Sequence, residues 1–225
     1  MAQGITVRGE DCPSCPAYWD EACEYLAGAD PVMAGLIRRY EKSYPESGRK
    51  PFETLVRSIV GQQISLKAAD NIWERLIKLC PILSPETVAG CDRSSLRSVG
   101  LSERKVDYIL DVCRFFAEGG LSDEDLEDLS DEALIERLTS IKGVGLWTAQ
   151  MFLIFTLRRP NVLPTADAGL IRAIVTQYLE AESFEALSAR QKRKVLEATG
   201  ERWAPWKTVA TWYLWRSLDT EIVLY

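Results

Sequence analysis

The 225-residue chain contains no histidine, so neither an imidazole metal ligand nor an imidazole proton donor is on offer. Strand-like alternation of apolar and polar residues is nearly missing, and there is no internal repeat or low-complexity segment. No apolar run approaches the roughly 20 residues of a membrane-spanning helix; Met151 to Phe155 is a short one, and Met1-Ala2-Gln3-Gly4-Ile5-Thr6-Val7-Arg8 lacks the apolar core of a signal peptide. No membrane partner and a cytoplasmic location are expected. Cysteine is confined to Cys12, Cys15, Cys23, Cys80, Cys91 and Cys113 and is absent from the C-terminal half. Cys12-Pro13-Ser14-Cys15 has a zinc-like spacing, but no second pair of that kind exists, so free thiols and no metal are expected.

Charge of positive sign is also scarce, with 27 bases against 33 acids and a net charge of −6. The excess is local: Asp123 to Glu136 holds eight acids and no base, leaving 25 acids against 27 bases elsewhere. Residues 137–225 carry 12 bases against 8 acids, including Lys142 and the Arg190, Lys192, Arg193, Lys194 group. That distribution fits an acidic helix face turned to solvent and a modestly basic group that is either another solvated face or a surface meeting a polyanion with a shallow salt dependence.

What the chain has is helix signals. At 47% hydrophobic it can bury a core. Asp30-Pro31 and Ser84-Pro85 read as N-caps followed by proline at the first helical position, and Ser102 and Ser122 as further caps. The pattern reads as roughly ten helices in an all-α fold, preceded by an irregular arm over residues 1–17.

One stretch concentrates the chemistry. In Leu138-Thr139-Ser140-Ile141-Lys142-Gly143-Val144-Gly145-Leu146-Trp147-Thr148-Ala149, two glycines separate two helical runs, leaving backbone N–H groups at a helix N-terminus where a phosphate can sit. One helix and a loop later comes Pro164-Thr165-Ala166-Asp167, where Asp167 is placed to cap a helix beginning Ala168-Gly169-Leu170. Gln62-Gln63 interrupts two apolar helical runs and reads as a polar helix junction.

This arrangement resembles the helix-hairpin-helix DNA glycosylase superfamily. Ile59 to Ser65, Leu96 to Lys105 and Trp203 to Trp215 carry the resemblance further, so that it spans roughly residues 50–216. The alkylpurine branch is the nearest, of the 3-methyladenine DNA glycosylase II type in a short form without the N-terminal sheet domain. The resemblance implies a two-lobed helical fold with the active site in the cleft: a central lobe at about 52–163, and a second lobe from about 18–51 together with 164–225. It also implies a monomer acting on double-stranded DNA that contains alkylated bases, in the nucleoid-associated cytoplasm, without a cofactor. The four clustered C-terminal cysteines that hold an iron-sulfur cluster in some members are absent.

Residue by residue, the resemblance makes Asp167 the catalytic carboxylate, facing the positive charge that grows on the sugar as the N-glycosidic bond breaks. An alkylated purine is already cationic and leaves neutral, so one carboxylate suffices without a general acid. Trp147 and Trp215 match the aromatic pocket positions, where stacking and cation–π attraction hold a flipped cationic base. Met151, one turn beyond Trp147, stands on the pocket wall where some relatives have tyrosine. Trp203, Trp206 and Trp212 are left as core candidates. Gln63 corresponds to the wedge that fills the gap left by the flipped nucleotide. Lys142, Gly143, Gly145 and Thr148 are assigned to the DNA backbone. Members that also cut the strand use a lysine two residues after the second hairpin glycine; here that position is Trp147, so hydrolysis alone is implied. Two rivals differ in kind: a noncatalytic DNA-structure binder that kept only the hairpin, and a glycosylase for deaminated or oxidised bases.

Overall fold

The computed structural model describes residues 15–41, 43–45 and 50–218, so most of the expected N-terminal arm lies outside the described residues. Within them the chain is helical, with fourteen helices and no strand. Ten of these have nine or more residues; α5 (Pro85–Ala89), α6 (Arg93–Ser98), α8 (Asp123–Asp128) and α12 (Ala181–Glu185) are short. The caps read from the sequence form: Asp30, Ser84, Ser102 and Ser122 each accept a backbone N–H of the helix they precede, satisfying donors that would otherwise have no partner. Two compact units result, Arg49–Leu157 and a unit made of Met1–Gly48 with Arg158–Leu224.

In the 49–157 unit, α3 (Pro51–Gly61) is the central helix. Phe52, Leu55, Val56, Ile59 and Val60 are all buried, each apolar side chain of this size contributing about 1.5–3 kcal/mol by leaving water. Around α3 pack α4 (Leu66–Leu79), α7 (Glu103–Ala117) and α10 (Leu146–Phe155), with α9 (Asp131–Thr139) against α10. Arg57 leaves α3 buried, donating to the Ala69 carbonyl at 3.3 Å, pairing with Asp70 and lying 5.3 Å from the Trp73 ring centre, so its charge is met on α4. Cys80 and Cys113 lie in this core, and burial pushes both thiols up to about 12, which keeps them protonated and unreactive.

In the other unit, α1 (Trp19–Ala29) and α2 (Pro31–Tyr40) join α11 (Ala168–Tyr178), α13 (Ala189–Glu201) and α14 (Lys207–Arg216). Trp19, Trp203 and Tyr213 are fully buried, with the Trp19 and Tyr213 rings 6.3 Å apart. Asp30 does more than cap α2. One of its oxygens accepts from Val32 N and Met33 N, and the other from the Tyr178 hydroxyl at 3.0 Å and Trp203 Nε1 at 3.1 Å. This 4%-exposed carboxylate therefore ties the N-terminal helices to α11 and to the segment before α14. Trp203 and Trp212 are core, whereas Trp206 is partly exposed and stacks on Tyr18 at 5.5 Å.

Candidate active site

Asp167 follows a loop tied to α14 by hydrogen bonds. Between α10 and α11 the chain is pinned to the first turn of α14: Thr208 Oγ1 donates to the Arg159 carbonyl and accepts from Val162 N, while Thr208 N donates to the Pro160 carbonyl. Seven residues on, and so on the same face of α14, Trp215 donates Nε1–H to Asp167 Oδ1 at 2.8 Å. The same oxygen accepts Leu170 N at 2.6 Å, capping α11. Two donors and a helix N-terminus thus converge on one partly exposed carboxylate and fix its orientation.

Two glycines make this packing possible. A Cβ on Gly169 would lie 3.1 Å from Asp167 Oδ1 and 3.4 Å from Trp215 Cδ1, and one on Gly200 would lie 2.3 Å from Leu163 Cδ2. Larger residues would push the carboxylate and the loop out of register. The sequence assigns no role to either glycine or to Thr208; a glycine inside a helical run was the available signal.

In the 49–157 unit the hairpin forms between α9 and α10. Buried Ile141 and Val144 anchor it from below, while Lys142 and Gly145 are exposed. Gly143, with φ +91°, lies flat on the Tyr108 ring, where a Cβ would meet Cγ at 2.2 Å. Gly145 has φ −95° and nothing near its Cβ position, and it starts α10 without a side-chain cap. The special conformation therefore belongs to Gly143, whereas Gly145 provides open space beside the first N–H groups of α10, the geometry a phosphate needs.

Other assigned positions divide. Trp147 is partly exposed. Met151, expected on a pocket wall, is fully buried, and Thr148, expected beside the phosphate, is 3% exposed in the first turn of α10. Gln63 is exposed and stands at φ +58°, a left-handed conformation that costs a non-glycine residue about 1 kcal/mol or more. Among the described residues no group of three or more cysteines and acids is placed to hold a metal. Cys12 lies outside them, and Cys23 sits 3.5 Å from the Tyr213 hydroxyl.

The family model for HhH-GPD superfamily base excision DNA repair proteins matches residues 56–205. A putative DNA-3-methyladenine glycosylase of Bacillus subtilis is 34% identical over 176 residues, covering 75% of this chain, which spans only 59% of that protein's length. DNA-3-methyladenine glycosylase 1 of Schizosaccharomyces pombe is 33% identical over 200 residues, covering 86% of this chain and 85% of the relative. A solved structure of a 3-methyladenine DNA glycosylase from the same yeast, in complex with abasic DNA, superposes with a TM-score of 0.75 at 29% identity, covering 89% of this chain and 97% of that one.

Proposed function

Because the chain belongs to the HhH-GPD superfamily of base excision DNA repair proteins, we propose that it is a monofunctional DNA glycosylase that hydrolyses the N-glycosidic bond of alkylated purines of the 3-methyladenine and 7-methylguanine type. The observation that carries this reading is the Asp167 carboxylate fixed by Trp215 Nε1 and Leu170 N.

An alkylated purine carries positive charge and departs with the bonding electrons as a neutral base, leaving an oxocarbenium-like sugar. Asp167 stabilises that cation and orients water for addition at C1′, with the water's proton lost as the abasic sugar forms. A carboxylate already held by two donors needs no rearrangement as the charge appears. Trp147 and Trp215 supply the aromatic surface for the flipped base, Gln63 fills the gap it leaves, and the hairpin's Gly143 and Gly145 backbone with Lys142 holds the phosphates. With tryptophan in place of an amine at position 147, no Schiff base forms and the strand stays intact. The protein acts as a monomer on double-stranded DNA in the nucleoid-associated cytoplasm. Incubation with methylated genomic DNA and identification of the released bases by mass tests the reading: free 3-methyladenine and 7-methylguanine are expected, and a protein that binds this DNA but releases no base is not a glycosylase of this class.

A further inference from the structure

Gln63 is strained at φ +58° and yet exposed. A left-handed conformation at such a residue persists only when its surroundings over-determine it, and the contacts around this turn and the hairpin it meets come from three places. Immediately before it, Gln62 ends α3 and sends its side-chain Nε2–H to the carbonyl of Gly143, 81 residues away, at 2.9 Å. Lys105 donates Nζ–H to the Val60 carbonyl at 2.8 Å, closing one of the last carbonyls of α3, which have no partner within the helix. One turn along α7, the Tyr108 ring is the surface on which Gly143 lies. Lys105 and Tyr108, three residues apart, share a face of α7. That face therefore supports both the Gln63 turn and the hairpin, and the Gln62 amide joins the two directly.

We propose that Gln62 is a positioning residue that locks the Gln63 wedge to the phosphate-binding hairpin, so that both engage a duplex as one rigid piece. This rests on the reading of Gln63 as a wedge. A wedge inserts against the resistance of stacked bases, and it holds them apart only if it is braced against something already fixed to the same DNA. The hairpin is that fixture. Gln62 need not touch DNA at all, since its amide is engaged with Gly143.

The test is a double-mutant cycle read as the ratio of affinities for abasic-site and undamaged duplexes, with thermal unfolding followed in parallel. Gln63→Ala should lower the ratio. Gln62→Glu, the same size but with no donor for the Gly143 carbonyl, should lower it about tenfold, within the range for residues of one hydrogen-bonded network. Gln62→Ala, which introduces no new charge, should do the same more mildly. With Gln63→Ala already present, either Gln62 change should cost nothing further, which general destabilisation would not produce. If the losses multiply in the double variants, or if neither Gln62 variant changes the ratio while Gln63→Ala does, the brace is wrong and the wedge stands. If Gln63→Ala itself leaves the ratio unchanged, the wedge reading falls and the brace with it.

Discussion

Trp215 Nε1 and Leu170 N donate to the same oxygen of Asp167, at 2.8 and 2.6 Å. Trp215 is therefore tied to the carboxylate by a hydrogen bond in addition to its proposed role as a stacking surface, and the side chain that would face the base also sets the angle of the acid. Thr208 reinforces this by pinning the preceding loop to the same helix.

Trp215→Phe separates the two roles, because it keeps a ring and removes the donor. A hydrogen bond to a charged group is worth about 1.5–3 kcal/mol, so the single-turnover excision rate should fall roughly tenfold to a hundredfold while affinity for abasic DNA changes little. An unchanged rate would mean that the indole N–H does not hold the carboxylate in its working position.

The two hairpin glycines should part company on substitution. Gly143→Ala meets the Tyr108 ring at a positive φ and should cost about 2 kcal/mol or more of stability, visible as a lower thermal midpoint. Gly145→Ala, at φ −95° with open space around it, should leave the midpoint unchanged and weaken binding to damaged and undamaged duplexes alike. A change in which lesion is excised would instead move Gly145 into the recognition pocket.

Lys142 is exposed beside the hairpin and is assigned one phosphate. Lys142→Ala should weaken DNA binding modestly and reduce the slope of log affinity against log salt by about one unit. Titrations at several salt concentrations give the slope, and a lesion-dependent loss would argue for a different role.

Borohydride reduction during the reaction should trap no protein on DNA, and the product strand should break only after alkali. An adduct would reveal an amine nucleophile, with Lys142 the first to replace.

Much of this was legible in the sequence because it is written in local chemistry. Asp30, Ser84, Ser102 and Ser122 announce helix starts that the structure contains, and the near-absence of period-two patterning matches a helical protein. The hairpin and Asp167 could be singled out because a turn and a cap are short-range objects. Directions of side chains were harder. Helix α10, Leu-Trp-Thr-Ala-Gln-Met-Phe-Leu-Ile-Phe, has no distinct polar face, so no periodicity tells which of its residues face inward, and the burial of Thr148 and Met151 is not readable from the sequence. Likewise Asp30 reads as a cap in sequence, and only the fold brings Tyr178 and Trp203 to its second oxygen. Gly143 and Gly145 look equivalent as letters; Tyr108, 35 residues earlier, makes them different.

The central claim is that Asp167 drives the loss of an alkylated purine. Single-turnover release of 7-methylguanine from one methylated duplex, compared between the wild-type protein and Asp167→Asn, measures it directly. Asparagine retains an oxygen to cap α11 but carries no charge, so the rate should fall by about a hundredfold or more with abasic-site binding nearly intact. A variant that releases 7-methylguanine within a few-fold of wild type would contradict the account.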